Sequence, residues 1–276
     1  MVRPGSGRRV GNVAVISIPP GAVGAFAETP CRRCGTCCRK GGPAFHRADR
    51  HLVESGRIPA SLLFAIRSGE PVRDNVADRI VVAETDIVKL RGTGDTPVCV
   101  RYDPDAGCAI YPDRPLECRI LDCRNPGPIV RLYRRDRLTR LDIFGSVPGL
   151  RDLIREHQAL CDYDRIRRVA ADLDGSDPRG TEREDALLRL SEMLQFDRMV
   201  RTEPVRAGRI PADWTDLLFG RPLTRTLSGF GLRVSAENDR FRIRGHSAPL
   251  ASRADSVSPK IPPSRGDPPC STSTNR

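Results

Sequence analysis

A run of four cysteines within eight residues stands near the start of the chain: Cys31, Cys34, Cys37 and Cys38. Core packing does not explain it, because a small buried apolar side chain gains nothing from carrying sulfur four times over. Thiols this close together either chelate a metal or oxidise to disulfides. Four more follow at Cys99, Cys108, Cys118 and Cys123. Eight of the ten cysteines thus form two groups with a ligand count typical of metal sites.

The spacing of the first run predicts how the sulfurs are directed. In Cys31-x2-Cys34-Gly35 the two intervening residues let the backbone form a knuckle that directs both thiols to one ion. The glycine that follows tolerates a left-handed backbone conformation. Cys37 and Cys38 are adjacent, and consecutive side chains diverge by about 100° on a helix and about 180° on a strand. We therefore expect two sites or one polynuclear cluster, completed by the downstream cysteines.

Zinc and iron–sulfur clusters both accept thiolate ligands, and spacing does not choose between them. His46 is a candidate substitute ligand. Disulfides would require an oxidising compartment. Residues 10–24 are interrupted by Asn12, Ser17 and two prolines, which makes them a poor signal peptide, so a cytoplasmic location is predicted. No apolar run approaches the ~18 residues that span a bilayer, and no membrane partner is expected.

Two motifs carry a family resemblance: Cys31-x2-Cys34-x2-Cys37-Cys38 and, after Cys99, Cys108-x-Ile110-Tyr111-x2-Arg114-Pro115-x2-Cys118-Arg119 with Cys123 beyond. Together they resemble the YkgJ-type cysteine cluster family, the CxxCxxCC family, which is described as a zinc- or iron-chelating domain. The resemblance covers about residues 28–126 and maps the eight ligands of the family onto the eight cysteines. It implies metal chelation and no settled activity. Some members carry the label flagellin N-methylase, yet no glycine-rich loop typical of S-adenosylmethionine sites is present here.

The elements that must position the thiols are predicted to be short. Residues 49–55 and 60–67 indicate two helices, and the β-branched runs at 80–82 and 87–90 indicate two strands. The turn Asp-Pro-Asp-Ala-Gly at 103–107 predicts a hairpin.

That hairpin would bring Cys99 and Cys108 together. A helix that starts at Pro115 cannot direct both Cys118 and Cys123 to one ion, because an offset of five residues turns roughly 140° around a helix. Either the helix ends between these two cysteines, or they serve different sites.

Beyond the breaker at residues 125–128 the pattern changes. Residues 129–144 indicate a hairpin, 150–173 a helix, and 181–200 a second helix that opens with the capping box Thr181-x-x-Glu184. His157 and Cys161, in the first of these helices, are assigned to packing. A short helix from Pro211 and a hairpin of residues 231–234 with 240–243 follow.

These observations predict an α+β fold. A small, irregular, metal-stapled cysteine domain with short helices and hairpins precedes a mainly helical C-terminal region and a disordered tail. The predicted units are an N-terminal strand and loop at 1–27, the metal-chelating domain at 28–128, the α+β C-terminal region at 129–245 and the tail at 246–276, which contains Cys270.

Three functions follow from the sequence. The first is a metal-binding protein that holds zinc or iron, as ions or as an iron–sulfur cluster, on all eight cysteines. The second is a cluster-dependent enzyme resembling flagellin lysine N-methylase or an iron–sulfur oxidoreductase, which requires an open coordination position or a cofactor pocket.

The third function rests on the net charge of +11. It is a basic nucleic-acid-binding protein with a structural metal and a phosphate-contacting strip at Arg131, Arg134, Arg135, Arg137 and Arg140. The metal is the one partner that the sequence indicates directly, and no protein partner is indicated.

Overall fold

The computed structural model describes residues 31–175, 177, 180–237 and 240–245. The strand predicted before residue 20 and the predicted disordered tail with Cys270 lie outside these residues. Within them, helices alternate with small antiparallel sheets, as the α+β prediction requires.

The first half of the described chain consists of elements of two to five residues. They are helix α1 (Thr36–Lys40), a 3₁₀ turn (Arg47–Asp49), α2 (Arg50–Glu54), a second 3₁₀ turn (Ala60–Leu62), strands β1 (Leu63–Ile66), β2 (Pro71–Asp74), β3 (Arg79–Val82), β4 (Ile87–Leu90), β5 (Tyr102–Asp103) and β6 (Gly107–Cys108), and helix α3 (Leu116–Ile120). Isolated helices of this length are marginal in water, so tertiary contacts must hold them.

The second half is mainly helical, as predicted. It contains α4 (Gly127–Leu132), α5 (Arg140–Phe144), α6 (Pro148–Leu160), α7 (Tyr163–Gly175), α8 (Thr181–Arg206), a 3₁₀ turn (Ala212–Trp214), α9 (Thr215–Leu218), α10 (Leu223–Thr226) and a 3₁₀ turn (Leu227–Phe230), then strands β7 (Leu232–Glu237) and β8 (Arg240–Gly245). The closing hairpin is confirmed, with Val234 opposite Ile243.

Every sheet in the described chain is a two-stranded antiparallel pair: β1 with β4, β2 with β3, β5 with β6, and β7 with β8. In β4, Val88 and Leu90 are buried, whereas Lys89 between them is only half-buried. This alternation is typical of a strand that covers a core with one face.

Two main apolar cores hold the elements together. The first lies under the β1–β4 pair and includes Phe45, Leu63, Leu138 and Leu217. The second lies between α7 and α8 and includes Leu190. The first core contains side chains from both sides of residue 128, so the two halves of the chain pack against each other. The domain boundary predicted at residue 128 stays a prediction.

The helix predicted over residues 60–67 is wrong. Only Ala60–Leu62 form a helical turn, and Leu63–Ile66 form β1. A short apolar run fits either structure when it is considered alone. Its antiparallel partner decides the outcome, since Leu63 lies opposite Leu90 and Ile66 opposite Ile87.

The hairpin predicted over residues 129–144 is also wrong, because α4 and α5 occupy this stretch. The hydroxyl of Thr139 accepts a hydrogen bond from the Asp142 N–H at 3.1 Å. The Asp142 carboxylate accepts one from the Thr139 N–H at 2.8 Å. This capping box starts α5, and Thr139-x-x-Asp142 is the sequence signal that should have indicated a helix.

The single helix predicted over residues 150–173 is two helices that break at Cys161 and Asp162, where Asp162 Oδ1 accepts a hydrogen bond from the Arg165 N–H at 2.9 Å. The capping box at Thr181 is wrong as well. Gly180 is the N-cap of α8 and provides no side-chain hydrogen bond, and α8 continues beyond residue 200 to Arg206.

A buried set of hydrogen bonds, here the Asp197 network, joins three helices. Asp197 on α8 is 3% exposed. Its Oδ1 lies 2.8 Å from His157 Nε2 on α6 and accepts from Arg201 Nε at 3.0 Å. Its Oδ2 accepts from the Leu223 N–H at the start of α10 at 3.1 Å. His157 and Cys161 are fully buried, as the packing assignment requires, and His157 is in addition a polar member of this network.

Candidate metal centre

The first two cysteines lie in an irregular segment that leads into α1. Gly35, the residue before α1, has φ +74°, so the predicted left-handed conformation is confirmed. A Cβ atom at this position would come within 2.0 Å of Tyr102 Oη, which adds a steric requirement for glycine. The Arg33 N–H donates a hydrogen bond to Cys31 Sγ at 3.3 Å, as expected of a knuckle.

Cys37 lies on α1 among thiols from both ends of the domain. Its side chain hydrogen-bonds to that of Cys38. Burial raises the pKa of Cys37, and the nearby thiols of Cys31, Cys123 and Cys34 raise it further. These effects place Cys37 close to the rest of the first run and to the last of the eight cysteines.

Cys38 meets a different set of thiols. The Cys99 N–H donates to the Cys38 carbonyl oxygen at 2.8 Å, which joins the segment before β5 to α1. The β5–β6 hairpin then returns the chain to Cys108, whose thiol interacts with those of Cys38 and Cys99. The prediction that this hairpin brings Cys99 and Cys108 together is confirmed.

Cys118 and Cys123 are separated by the end of a helix. Cys118 lies on α3, which ends at Ile120, and the thiol of Cys123 beyond it is exposed. The prediction that the helix cannot continue through both cysteines is therefore confirmed. Cys118 interacts with Cys37, Cys99 and Cys38, so it borders both sets of thiols.

Burial holds these thiols in the protonated form. It raises the pKa of Cys38 to about 12, and the neighbouring Cys37, Cys99 and Cys108 add to the effect. It also raises the pKa values of Cys99 and Cys118. A bound cation reverses this preference, because a thiol that coordinates a metal loses its proton.

One cavity of about 610 Å³, here the thiol cavity, is lined by five of the eight candidate ligands: Cys37, Cys38, Cys99, Cys108 and Cys118. The chemistry of these donors fits zinc or iron. Among the residues that the structure describes, however, no three His, Cys, Asp or Glu side chains are arranged so that they could hold a metal ion. The thiols line the same cavity, and their sulfur atoms must move closer together to coordinate a metal ion.

A family model matches this part of the chain. Residues 30–130 match CxxCxxCC. That family is described as a "putative zinc- or iron-chelating domain", and the resemblance seen in the sequence is confirmed. The match contains all eight candidate cysteines. No curated protein and no solved structure matched the chain.

The matched region, residues 30–130, contains a buried histidine whose ring nitrogens both have partners. His46 is 1% exposed. Its Nδ1 lies 2.7 Å from the Arg135 carbonyl oxygen, and its Nε2 lies 3.4 Å from Glu117 Oε1. Since both ring nitrogens have partners, His46 does not serve as the substitute ligand considered from the sequence.

Glu117, next to Cys118, is the carboxylate that His46 contacts, and it lines the thiol cavity. It accepts hydrogen bonds from the Ala44 N–H at 2.8 Å and from Arg137 Nη1 at 2.9 Å. Burial raises the pKa of Glu117, but the hydrogen bond from His46 and the charge of Arg137 lower it more, so it stays below the usual value.

Tyr111 connects the two cysteine segments of the chain. The guanidinium groups of Arg33 and Arg114 lie 3.9 Å and 3.8 Å from its ring centroid. Its hydroxyl donates to the Cys31 carbonyl oxygen at 3.5 Å. Arg114 Nε donates to the Tyr111 carbonyl oxygen at 2.9 Å. The Ile-Tyr and Arg-Pro parts of the second motif therefore build one stacked unit.

Arg119, next to Cys118, is held by a carboxylate. Its Nη2 lies 3.8 Å from Oδ1 of the buried Asp49. Asp49 also accepts hydrogen bonds from the N–H groups of His46 and Leu116. Burial raises the pKa of Asp49, although these hydrogen bonds lower it. Arg119 thus pairs with a carboxylate, and Arg114 is the one that lines the cavity.

The predicted phosphate-contacting strip is not a continuous exposed surface. Arg140 is 2% exposed and binds Asp86 at 2.7 and 3.1 Å. Arg137 is held by Glu117 and Arg134 by Asp74. Only Arg131 and Arg135 of the five are exposed without one of these ion pairs.

Among the described helices, none combines the length and apolar character needed to cross a membrane.

Lys89 and Arg101 line the cavity, and neither was predicted from the sequence to belong to the site. Burial lowers the pKa of Lys89. A signal was present, because Lys89 is the one charged residue in the apolar strand β4. For Arg101, no local pattern in the sequence distinguishes it from the many other arginines.

Proposed function

We propose that this chain binds zinc or iron through its eight cysteine thiolates. The observation that carries the proposal is the thiol cavity, where five thiols from three separate segments of the chain meet. Reduced cysteines this concentrated, inside a domain matched by a zinc- or iron-chelating family, are typical of metal ligands and not of core packing.

We assign the eight ligands to two adjoining groups. We define the outer group as Cys31, Cys34, Cys37 and Cys123, and the inner group as Cys38, Cys99, Cys108 and Cys118. Cys37 and Cys38 lie where the groups adjoin, since their side chains hydrogen-bond to each other. The two groups adjoin, since Cys118 also interacts with Cys37.

Four thiolates around a divalent ion carry a net charge of −2, which nearby cations offset. Arg101 and Arg114 line the cavity beside the inner group. Burial raises the pKa of Cys99, whereas a hydrogen bond from the Arg101 N–H and, less strongly, the charge of Arg101 lower it, which supports a role for Arg101 beside an inner thiol.

The test is elemental analysis and visible spectroscopy of the full chain purified without oxygen. Two four-thiolate sites predict that Cys123→Ser and Cys108→Ser each lose about half of the bound metal. One polynuclear cluster predicts that either change loses nearly all of it. Cys161→Ala removes a thiol outside both groups and should leave the metal content unchanged. Wild-type protein with little metal and with paired disulfides would refute the proposal.

A cluster-dependent enzyme is the second candidate function, and the open volume beside the inner group favours it. Enzymatic metal sites keep a coordination position free for substrate, whereas structural sites are closed. In cobalt-substituted protein, azide should change the visible spectrum if the inner group has such a position. An unchanged spectrum would identify a closed, structural site.

A further inference from the structure

The thiol cavity has a second wall that contains no thiol. Much of it comes from the β2–β3 hairpin, whose apolar lining residues are Val72, Val76, Val81 and Val82. Val76 and Val82 are among the few large apolar side chains that are strongly exposed in the described chain. Metal binding gives these valines no role, and an apolar ligand would cover them.

The cations around the cavity exceed the carboxylates available to them. Lys89, Arg101 and Arg114 line the cavity, and among the described residues no carboxylate lies within 4 Å of their charged nitrogens; the charge of Glu117 acts on Lys89 from farther away. Arg101 Nε and Arg114 Nη1 are buried without any hydrogen-bond acceptor. Buried donors of this kind are costly unless a ligand supplies the acceptor.

Three acidic residues line the cavity, Asp74, Glu84 and Glu117, and each has a basic partner; that of Glu84 is Arg134, at 3.8 Å. Glu117 is shared by Arg137 and His46. Asp74 accepts hydrogen bonds from Arg134 at 2.8 Å and from the Tyr133 hydroxyl at 3.1 Å. The charge that remains to be balanced is therefore positive, and a cationic ligand such as a lysine side chain does not suit this cavity.

We infer that the thiol cavity binds a small organic acid with an apolar body. Its anionic head would accept hydrogen bonds from Lys89, Arg101 and Arg114, and its body would lie against the valines of the β2–β3 hairpin. A cavity of about 610 Å³ lies within the usual range for such ligands. The inference names the ligand class of the second candidate function and rests on it only in placing the ligand beside a metal.

The competing explanation is that these cations only balance thiolates. It accounts for Arg101, which acts on Cys99. It leaves the exposed valines without a role and predicts no anion binding.

The test uses two fluorescent probes with the full chain. 1-Anilinonaphthalene-8-sulfonate has aromatic rings and an anionic head, and N-phenyl-1-naphthylamine has the same rings without the sulfonate. We expect one molecule of the sulfonate probe to bind per chain. Lys89→Gln should lower the affinity for this probe roughly tenfold, because a charge-assisted hydrogen bond is lost. The neutral probe should change less than about twofold, because it makes no such bond.

Matched variants keep the result interpretable. Lys89→Arg retains the charge and should restore binding of the sulfonate probe. Val81→Asp should weaken both probes. Arg206→Gln removes an exposed charge at the end of α8, outside the cavity lining, and should affect neither. Equal effects of Lys89→Gln on the two probes, or no effect on either, would overturn the inference.

Metal content is measured in the same samples. If Lys89→Gln lowers the metal content and leaves probe binding unchanged, the cations serve the thiolates alone and the inference is wrong. If the wild-type protein holds no metal but still distinguishes the two probes through Lys89, the metal proposal fails and the ligand inference stands.

Discussion

In the Asp197 network a buried carboxylate receives hydrogen bonds from α6, α8 and α10, whereas the thiol cavity gathers thiols and cations around open volume. The central group of the network is satisfied from within the chain. In the cavity, Lys89, Arg101 and Arg114 have no carboxylate within 4 Å among the described residues, and the charge of Glu117 reaches Lys89 from beyond that distance. The contrast indicates that the network stabilises the helical half, while the cavity depends on what binds there.

The sharpest test of this contrast is removal of the metal. A four-thiolate zinc site contributes on the order of 10 kcal/mol to folding. A strong chelator should therefore deprotect the backbone amides of α1, the β5–β6 hairpin and α3 in hydrogen exchange, while those of α7 and α8 remain protected. The same chelator saturated with zinc is the control. Unchanged exchange throughout would mean that the thiol region does not depend on metal.

The converse test breaks the network. Asp197→Ala leaves the buried His157 without its carboxylate and Arg201 with Asp216 alone, at 3.3 Å, and should lower the free energy of unfolding in urea by about 3 kcal/mol. Asp213→Ala removes an exposed carboxylate on the 3₁₀ turn before α9 and should cost little. Metal content should be the same in both variants. A cost below ~1 kcal/mol for Asp197→Ala would show that the network adds little stability.

Acid should weaken the network through His157. Burial and the positive charges of Arg67 and Arg201 lower the pKa of His157 to about 4, against the opposing effect of Asp197. In the unfolded chain His157 binds a proton near pH ~6.5, whereas in the native chain it stays neutral until about pH 4. The contribution of neutral His157 to the free energy of unfolding is therefore complete above pH ~6.5 and is lost as the pH falls towards 4.

The total effect is about 3 kcal/mol. It is measured as the difference in unfolding free energy between wild type and His157→Gln, which lacks the titrating group, at several pH values between 7 and about 4.5. A difference that does not depend on pH would contradict the assignment. Comparing the two proteins at each pH cancels the contribution of other acidic groups.

The smallest expected effect concerns the entrance to the thiol run. Gly35→Ala forces a left-handed residue against Tyr102 Oη and should lower the unfolding free energy by about 1–2 kcal/mol. Gly149→Ala, in α6 where nothing lies within 4 Å of the added Cβ, is the matched control. It should leave stability unchanged or raise it slightly, since alanine favours a helix. If Gly35→Ala and Gly149→Ala changed the thermal unfolding midpoint equally, the special role of Gly35 would be contradicted.

The features predicted correctly from the sequence are those that local residues determine. The left-handed Gly35, the turn after Tyr102 and the end of α3 before Cys123 each depend on a few neighbouring residues. The β1 strand was predicted as a helix because its character depends on β4. The break between α6 and α7 and the start of α5 were missed although Asp162 and Thr139 marked them.

The candidate ligands follow from residue type and spacing, whereas their grouping does not. The sequence indicated that Cys37 and Cys38 diverge, but the fold was needed to find which thiols each one meets. Lys89 and the valines of the β2–β3 hairpin reach the cavity through contacts between distant segments, which no local pattern encodes. Ligation by all eight cysteines stays a prediction until metal is measured.

Strand β4 acts as a partition between the first core and the thiol cavity. Val88 is fully buried in the core, while its neighbour Lys89 lines the cavity. Since side chains alternate along a strand, a slip of one residue against β1 would turn Lys89 towards the core and expose the apolar face. The four residue pairs between β1 and β4 therefore fix both the packing of the first core and the position of Lys89 in the cavity. A change that disrupts this pairing would disturb the core and the cavity together.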